Sequence, residues 1–139
     1  MLRYRRLDRP TLSTRVLGPL GRQLLAIDSV IEGKADVAPI DGYALDLLRR
    51  HDAGRVARVR VVATTAAAPS PPVVASARTS PAARERTSEV LCAVHTAPEM
   101  NATLDELLIE RFVRVAPEDF DVFLELQRAA EDAGYPDLA

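Results

Sequence analysis

The chain of 139 residues contains one cysteine, no tryptophan and a single lysine, Lys34. Because Cys92 has no second cysteine to pair with, an internal disulfide is excluded, and the cysteine content indicates no redox compartment. The sequence also lacks the run of roughly 18 consecutive apolar residues that a membrane helix needs. These absences predict a chain without a disulfide framework and without direct membrane insertion.

The chain also lacks a large excess of positive or negative charge. The 18 basic residues nearly balance the 20 acidic ones, the formal net charge is −2 and the isoelectric point is near 5.7. This balance gives no electrostatic reason to expect nucleic acid as a partner. No nucleophile-elbow, zincin, Walker or dinucleotide-binding motif is present, and Cys92 with His95 alone is too small a set for zinc. We therefore predict no catalytic residue, no metal, no cofactor and no enzymatic activity.

The most informative segment runs from Ile27 to Tyr43. Apolar residues recur at helical spacing before Gly33, a residue type that commonly ends helices in the left-handed region; they are Leu20, Leu24, Ile27 and Ile31. The apolar run 35–40 then predicts a buried strand, with Asp41 at its carboxyl end. In open α/β sheets, ligands bind at that end of the strands.

The pattern in the rest of the chain also predicts alternating strands and helices. Further strands are predicted at 59–65, 73–75 and 112–115, and helices are predicted at 42–50, from Ser80 to Pro98, near 101–108 and from Pro117 to Gly134. Four of the ten prolines lie between Thr64 and Pro81, which excludes a helix there and predicts an extended crossover. The pattern predicts an α/β fold with a central β-sheet flanked by helices.

Candidate ligand-binding residues are Asp41, Gly42, Tyr43, Thr64 and Thr65. Two interpretations of Asp41 stay open, because its carboxylate can face a ligand or cap the following helix. Tyr43 can contact a ligand, although packing against the sheet is the more common role of a tyrosine in a first helical turn. The hydroxyls and amides of Thr64 and Thr65 can donate to an oxyanion, although such residues are also ordinary at strand ends.

The segment EGKADVAPID, followed by an aromatic residue and a second helix, resembles bacterial extracellular solute-binding proteins of the phosphate, phosphite and phosphonate branch of ABC importers. The likeness continues in 59–65 and 69–76, which are similar to the family's hinge crossover. It extends to 112–121 and 133–136, which are similar to the closing strand and helix of these proteins. The resemblance covers Ile27 to Ala139.

This resemblance implies the carboxyl-terminal part of a two-lobed type 2 periplasmic-binding-protein fold. Residues 27–64 would belong to lobe two, and residues 65–139 would form the hinge crossover and the return to lobe one with a C-terminal helix. The arginine-rich segment 1–26 is atypical of the family, which suggests a shifted or truncated gene start. The implied function is capture of a small oxyanion such as phosphate, phosphite or a phosphonate for a membrane permease.

Other expectations depend on how the chain begins. The resemblance implies a periplasmic or cell-envelope location, whereas the first residues lack a signal-peptide pattern and would leave the chain cytoplasmic if that start is genuine. One alternative is the effector-binding lobe of a transcription regulator, although segment 1–26 lacks a helix pair for DNA binding. Another is a remnant that binds nothing and self-associates through exposed strand edges.

Overall fold

The structure is a computed structural model that describes residues 15–134. Two compact units divide the described residues. The first takes in 15–66 together with 131–134, and the second comprises 67–130. Segment 1–14, which carries most of the predicted arginine-rich start, and residues 135–139 lie outside the described residues.

Helix α1 spans Gln23–Ile31 in the first unit. It ends in a Schellman motif, because the N–H of Gly33 donates to the Val30 carbonyl at 3.1 Å and the N–H of Lys34 donates to the Ser29 carbonyl at 2.8 Å. Gly33 has φ +72°, the left-handed conformation that glycine adopts without a Cβ penalty. The predicted helix end at Gly33 is therefore confirmed.

Helices α2, Gly42–His51, and α3, Ala53–Val56, complete the helical part of the first unit. The last turn of α2 contains basic residues, which complement the negative end of the helix dipole; they are Arg49, Arg50 and His51. Asp52 is the C-cap of α2 and the N-cap of α3, and its side chain accepts from the Arg55 N–H. One carboxylate therefore sits at the elbow between the two helices.

The remaining helices follow residue 80. They are α4 at Pro81–Ala93, 3-10 turns at Val94–Thr96, Pro98–Met100 and Pro117–Phe120, α5 at Asn101–Glu106 and α6 at Asp121–Asp132. Ser80 caps α4 by accepting from the Ala83 N–H at 3.2 Å, and Pro81 occupies the first turn. The helix predictions based on this cap and on Pro117 are confirmed.

Few side chains are buried in the described part of the chain. In the first unit Ile27 of α1 and Leu45 of α2 are 5% and 8% exposed, and in the second unit Leu104 of α5 is 6% exposed. The buried hydroxyl of Ser29 donates to the Leu25 carbonyl at 2.7 Å, which satisfies its polar group within α1. The buried apolar residues of the described part of the first unit are therefore one side chain from α1 and one from α2.

The predicted α/β fold with a central β-sheet flanked by helices is wrong for the described residues. Between residues 15 and 134 there is no β-strand, and the expected strands at 35–40, 59–65, 73–75 and 112–115 lie outside the helices, with no ladder between them. Valines expected inside the sheet are exposed; they are Val37, Val61, Val62, Val73, Val74, Val113 and Val115. The central sheet is absent from this part of the chain.

The physical reason is that a strand requires a partner, whereas a helix closes its hydrogen bonds within one segment. Alternating β-branched residues indicate only that a segment fits a pleated, half-buried surface. Where no neighbouring segment supplies the ladder, the same residues stay exposed.

Candidate functional site

The amino-terminal ends of α1 and α2 meet in the first unit. The backbone N–H of Asp41 donates to Oε1 of Gln23 at 3.1 Å, although the two residues are 18 positions apart in the chain. Gln23 is the first residue of α1 and Asp41 is the N-cap of α2. Because each helix carries partial positive charge at its amino terminus, this contact joins two ends that favour an anion.

The start of α1 leaves amide donors available. Its N-cap is Arg22, whose side chain makes no capping hydrogen bond. The N–H of Leu25 donates to the Arg22 carbonyl at 3.1 Å, while the amides of Gln23 and Leu24 donate to no carbonyl within residues 15–134. Orphan amides at a helix start need an acceptor, and solvent or an anion can supply it.

Asp41 caps α2 in this structure, because its Oδ1 accepts from the Ala44 N–H at 3.0 Å. The capping interpretation of the sequence is therefore confirmed, while a ligand role for the same carboxylate stays a prediction. The side chain is exposed, so one oxygen can hold the cap while the other meets solvent or a bound molecule.

The structure brings only part of the predicted site together. Gly42 and Tyr43 form the first turn of α2 beside Asp41, and Tyr43 is 41% exposed. Thr64 and Thr65 are exposed in a stretch that is neither helix nor strand. Among the described residues, no hydrogen bond links either threonine to Asp41.

Sequence reasoning missed Gln23 and Arg22. Helical spacing alone placed Leu20 inside α1, which hid the fact that the helix begins at Gln23. An N-cap arginine carries no capping signal, because the residues that mark helix starts are serine, threonine, aspartate and asparagine. The contact with Asp41 depends on how α1 lies against α2, which helical spacing does not report.

An ionic cluster lies near the carboxyl-terminal end of α1. Nη1 of Arg55 donates to Oδ1 of Asp28 at 2.5 Å, and Nε of Arg55 donates to Oδ2 of Asp52 at 2.8 Å. The hydrogen bond from the Arg55 side chain holds the pKa of Asp52 below its usual value. Hydrogen bonds to Asp52 and Asp28 raise the pKa of Arg55 above its usual value.

The cluster lines a groove of about 400 Å³ between α1 and α3, whose lining residues are Asp28, Ile31, Glu32, Asp52, Gly54, Arg55 and Arg58. Arg55 compensates Asp28 and Asp52, and Glu32 pairs with Lys34 at 2.6 Å. Since carboxylates outnumber arginines on its wall, the groove is a poorer place for an anion than the start of α1 and α2.

A model of the family described as "ABC transporter, phosphonate, periplasmic substrate-binding protein" matches residues 1–120. The chain belongs to this family. The match begins before Ile27, where the motifs quoted above begin, and it ends at residue 120, immediately before α6. Comparison with curated proteins and with solved structures gave no match.

Membership establishes the general role of the chain. The family is the phosphonate-binding component of ABC transporters, it is periplasmic, and it implies a small-molecule ligand and a permease partner. The resemblance inferred from the sequence is therefore confirmed at the level of the family.

Two further observations concern the described residues alone. None of their helices combines the length and apolar character needed to cross a bilayer. No group of three or more histidine, cysteine, aspartate or glutamate side chains lies close enough within residues 15–134 to hold a metal ion.

Proposed function

We propose that this chain binds a small phosphorus oxyanion, such as phosphate, phosphite or a simple phosphonate, and passes it to a membrane permease from the periplasm. The observation that carries the proposal is the family match over residues 1–120. The proposed role is capture and release of the ligand without chemical change.

The proposed ligand position is the junction of α1 and α2. Gly42 opens α2, its amide donates to no carbonyl within the described residues, and the amides of Gln23 and Leu24 are similarly placed at the start of α1. Two helix starts supply more oriented N–H donors than one, and Arg22 adds a cationic side chain beside them. The Gln23–Asp41 hydrogen bond supports this position because it holds the two sets of donors together.

Asp41 would select for a protonated oxyanion. An ionised carboxylate only accepts hydrogen bonds, so it repels a fully deprotonated anion and can accept from a P–OH group. A singly protonated phosphonate or phosphate has such a group, whereas sulfate at neutral pH has none. We expect a preference for phosphonate over sulfate of roughly 10- to 100-fold, the value of one charge-assisted hydrogen bond.

Thr64, Thr65 and Tyr43 are proposed as additional ligand contacts. All three are exposed in the described structure and carry hydroxyl groups that can donate to an anionic oxygen. Their contribution requires segment 59–65 to approach the start of α2 when a ligand is bound.

The test is isothermal titration of the full chain with methylphosphonate, phosphite, phosphate and sulfate at neutral pH. We expect saturable binding of at least one phosphorus oxyanion, with sulfate weakest. Asp41→Asn should keep the cap, because asparagine is as good an N-cap as aspartate, and should lose the discrimination against sulfate. Failure of every phosphorus oxyanion to bind would overturn the proposal.

A second variant tests the position of the ligand. Gln23→Glu keeps an acceptor for the Asp41 N–H and adds negative charge at the junction, so anion affinity should fall by about tenfold or more. Gln127→Glu on α6 makes the same change of charge and should leave affinity unchanged. Equal binding by both variants and the unmodified chain would place the ligand elsewhere.

A further inference from the structure

Two side-chain hydrogen bonds join α1 to later helices of the first unit. At the first residue of α1, Oε1 of Gln23 accepts from the Asp41 N–H at 3.1 Å. Further along, Oδ1 of Asp28 accepts from Nη1 of Arg55 in α3 at 2.5 Å. Gln23 and Asp28 lie about 7–8 Å apart along the helix axis. A helix that is bonded at one point can pivot about it, whereas a second bond at this separation fixes its direction.

The backbone does little to hold α1 in place. The backbone of α1 approaches the backbones of α2 and α3 closely at few points, whereas α2 and α3 are joined directly through Asp52. The direction of α1 against the other two helices is therefore set by side chains.

Arg55 is suited to hold α1 because it is itself fixed at the elbow between α2 and α3. Its Nε donates to Oδ2 of Asp52 at 2.8 Å, and its backbone N–H donates to Oδ1 of Asp52 at 3.2 Å. Asp52 in turn ends α2 and caps α3. A guanidinium presents its N–H donors in a rigid planar fork, so Arg55 can bond Asp28 and Asp52 at the same time.

We propose that Arg55 is a positioning residue for the anion site, because it holds the start of α1 against the start of α2 through Asp28. The inference rests on the proposed function, in which amides at both helix starts share one ligand. When α1 turns away, its amides leave the site, and the apparent affinity falls in proportion to the remaining competent fraction of molecules. Arg55 raises anion affinity by increasing that fraction, without a bond to the ligand.

Two substitutions that change the charge in opposite directions test this role in the full chain. Arg55→Gln removes a positive charge and Asp28→Ala removes a negative one, but both break the bond that holds α1. Alanine is the best helix former, so Asp28→Ala should not unwind α1. Titration with methylphosphonate, phosphite and phosphate should give affinities roughly two- to tenfold lower in both variants. A direct effect of charge on the anion would instead weaken binding in one variant and strengthen it in the other.

Arg49→Gln and Asp46→Ala are the matched controls. The two residues form an exposed ion pair within α2 at 2.7 Å, so these substitutions make the same changes of charge without breaking the bond between Asp28 and Arg55. Affinity should be unchanged in both controls. Unchanged or higher affinity in Asp28→Ala would overturn the proposal and would leave anion binding by the chain intact.

A measurement without ligand separates the positioning of α1 from anion binding. Exchange of amide protons with water, followed by NMR, should be about two- to tenfold faster at Asp41 in Arg55→Gln, because the Gln23 acceptor leaves more often. The Ala44 N–H donates to Asp41 Oδ1 at 3.0 Å within α2 and should exchange as before.

The exchange rates decide the proposal whether or not an anion binds. Equal acceleration at Asp41 and Ala44 would mean that Arg55 stabilises the unit as a whole, and no acceleration at Asp41 would mean that α1 keeps its position without Arg55. Either result would overturn the proposal. If the unmodified chain bound no phosphorus oxyanion, the proposed function would fail, and the exchange rates would still show whether Arg55 holds α1.

Discussion

Residues 22–58 and residues 59–79 have similar proportions of apolar residues but different structures. The first stretch forms three helices, two with an aspartate cap and one with a Schellman end, and long-range side-chain bonds fasten α1 to its neighbours. The second stretch contains no helix, and most of its backbone makes no hydrogen bond within the described residues. The difference shows that hydrogen bonds closed within one segment, rather than apolar content, decide which of these two stretches is helical.

The largest effect should come from the small core of the helical stretch. Leu45→Ala removes a side chain that is 8% exposed and should lower the free energy of unfolding by about 2–3 kcal/mol. The measurement is urea denaturation followed by far-UV circular dichroism. Val61→Ala, at a position 54% exposed, should change the free energy of unfolding by less than about 0.5 kcal/mol. Equal losses of unfolding free energy in the two variants would mean that Val61 is packed as closely as Leu45.

The ionic cluster should give a smaller effect that depends on pH. Arg55 lowers the pKa of Asp52, so the pair stabilises the fold above the unfolded value of about 4, and this stabilisation is lost as pH falls through the lowered pKa. Arg55→Gln should lower the thermal midpoint at pH 7 and flatten its fall between about pH 4 and 2.

The control for Arg55 is Arg49→Gln. Arg49 pairs with Asp46 at 2.7 Å within α2, and both side chains are more than half exposed, so the pair should contribute little. Its pH profile should follow that of the unmodified chain. If the pH profile were flattened to the same degree in both variants, the Arg55 cluster would contribute no more to the pH dependence of stability than the exposed Arg49–Asp46 pair.

The next effect on stability is expected at the Schellman end of α1. Gly33→Ala puts a Cβ on a residue with φ +72° and should cost about 1–2 kcal/mol in unfolding free energy. Gly54→Ala is the matched control, because Gly54 lies in α3 without a positive φ and a Cβ there meets nothing within 4 Å. That variant should be neutral or stabilising by up to about 1 kcal/mol. A reversed order would contradict the turn geometry.

The same motif occurs at the end of α5 without a glycine. Leu108 has φ +55°, and its N–H donates to the Asp105 carbonyl at 3.0 Å while the N–H of Ile109 donates to the Leu104 carbonyl at 2.9 Å. Leu108→Gly should therefore raise the free energy of unfolding by up to about 1 kcal/mol. A loss of stability in the denaturation curve would show that packing of the Leu108 side chain outweighs its backbone strain.

The smallest effect is expected in the unpaired stretch. Val74→Thr replaces a valine that is 82% exposed with a side chain of similar shape, and should change the unfolding free energy by less than about 0.5 kcal/mol. The measurement is the same urea titration, carried out at low protein concentration. A cost above 1 kcal/mol would mean that the valine packs against another part of the chain.

Much of the helical structure could be predicted from the sequence because its signals are local. Ser80 with Pro81, Asp41 before α2 and Gly33 after α1 each act within one turn of their own helix. The candidate site was predicted only in part. Asp41 was recognised as a cap or ligand, but its hydrogen bond to Gln23 connects residues 18 positions apart and leaves no periodic signal.

The sequence by itself determined the family, the helix ends that a cap residue, a glycine or a proline marks, and the segments that cannot be helical, since these residues act on their own backbone. Only the tertiary structure decided that Gln23 meets Asp41, that Arg55 joins Asp28 to Asp52, and that the valine-rich segments remain without a ladder between residues 15 and 134. These outcomes depend on which segments become neighbours in space, and a strand pattern specifies a need for a partner without supplying one.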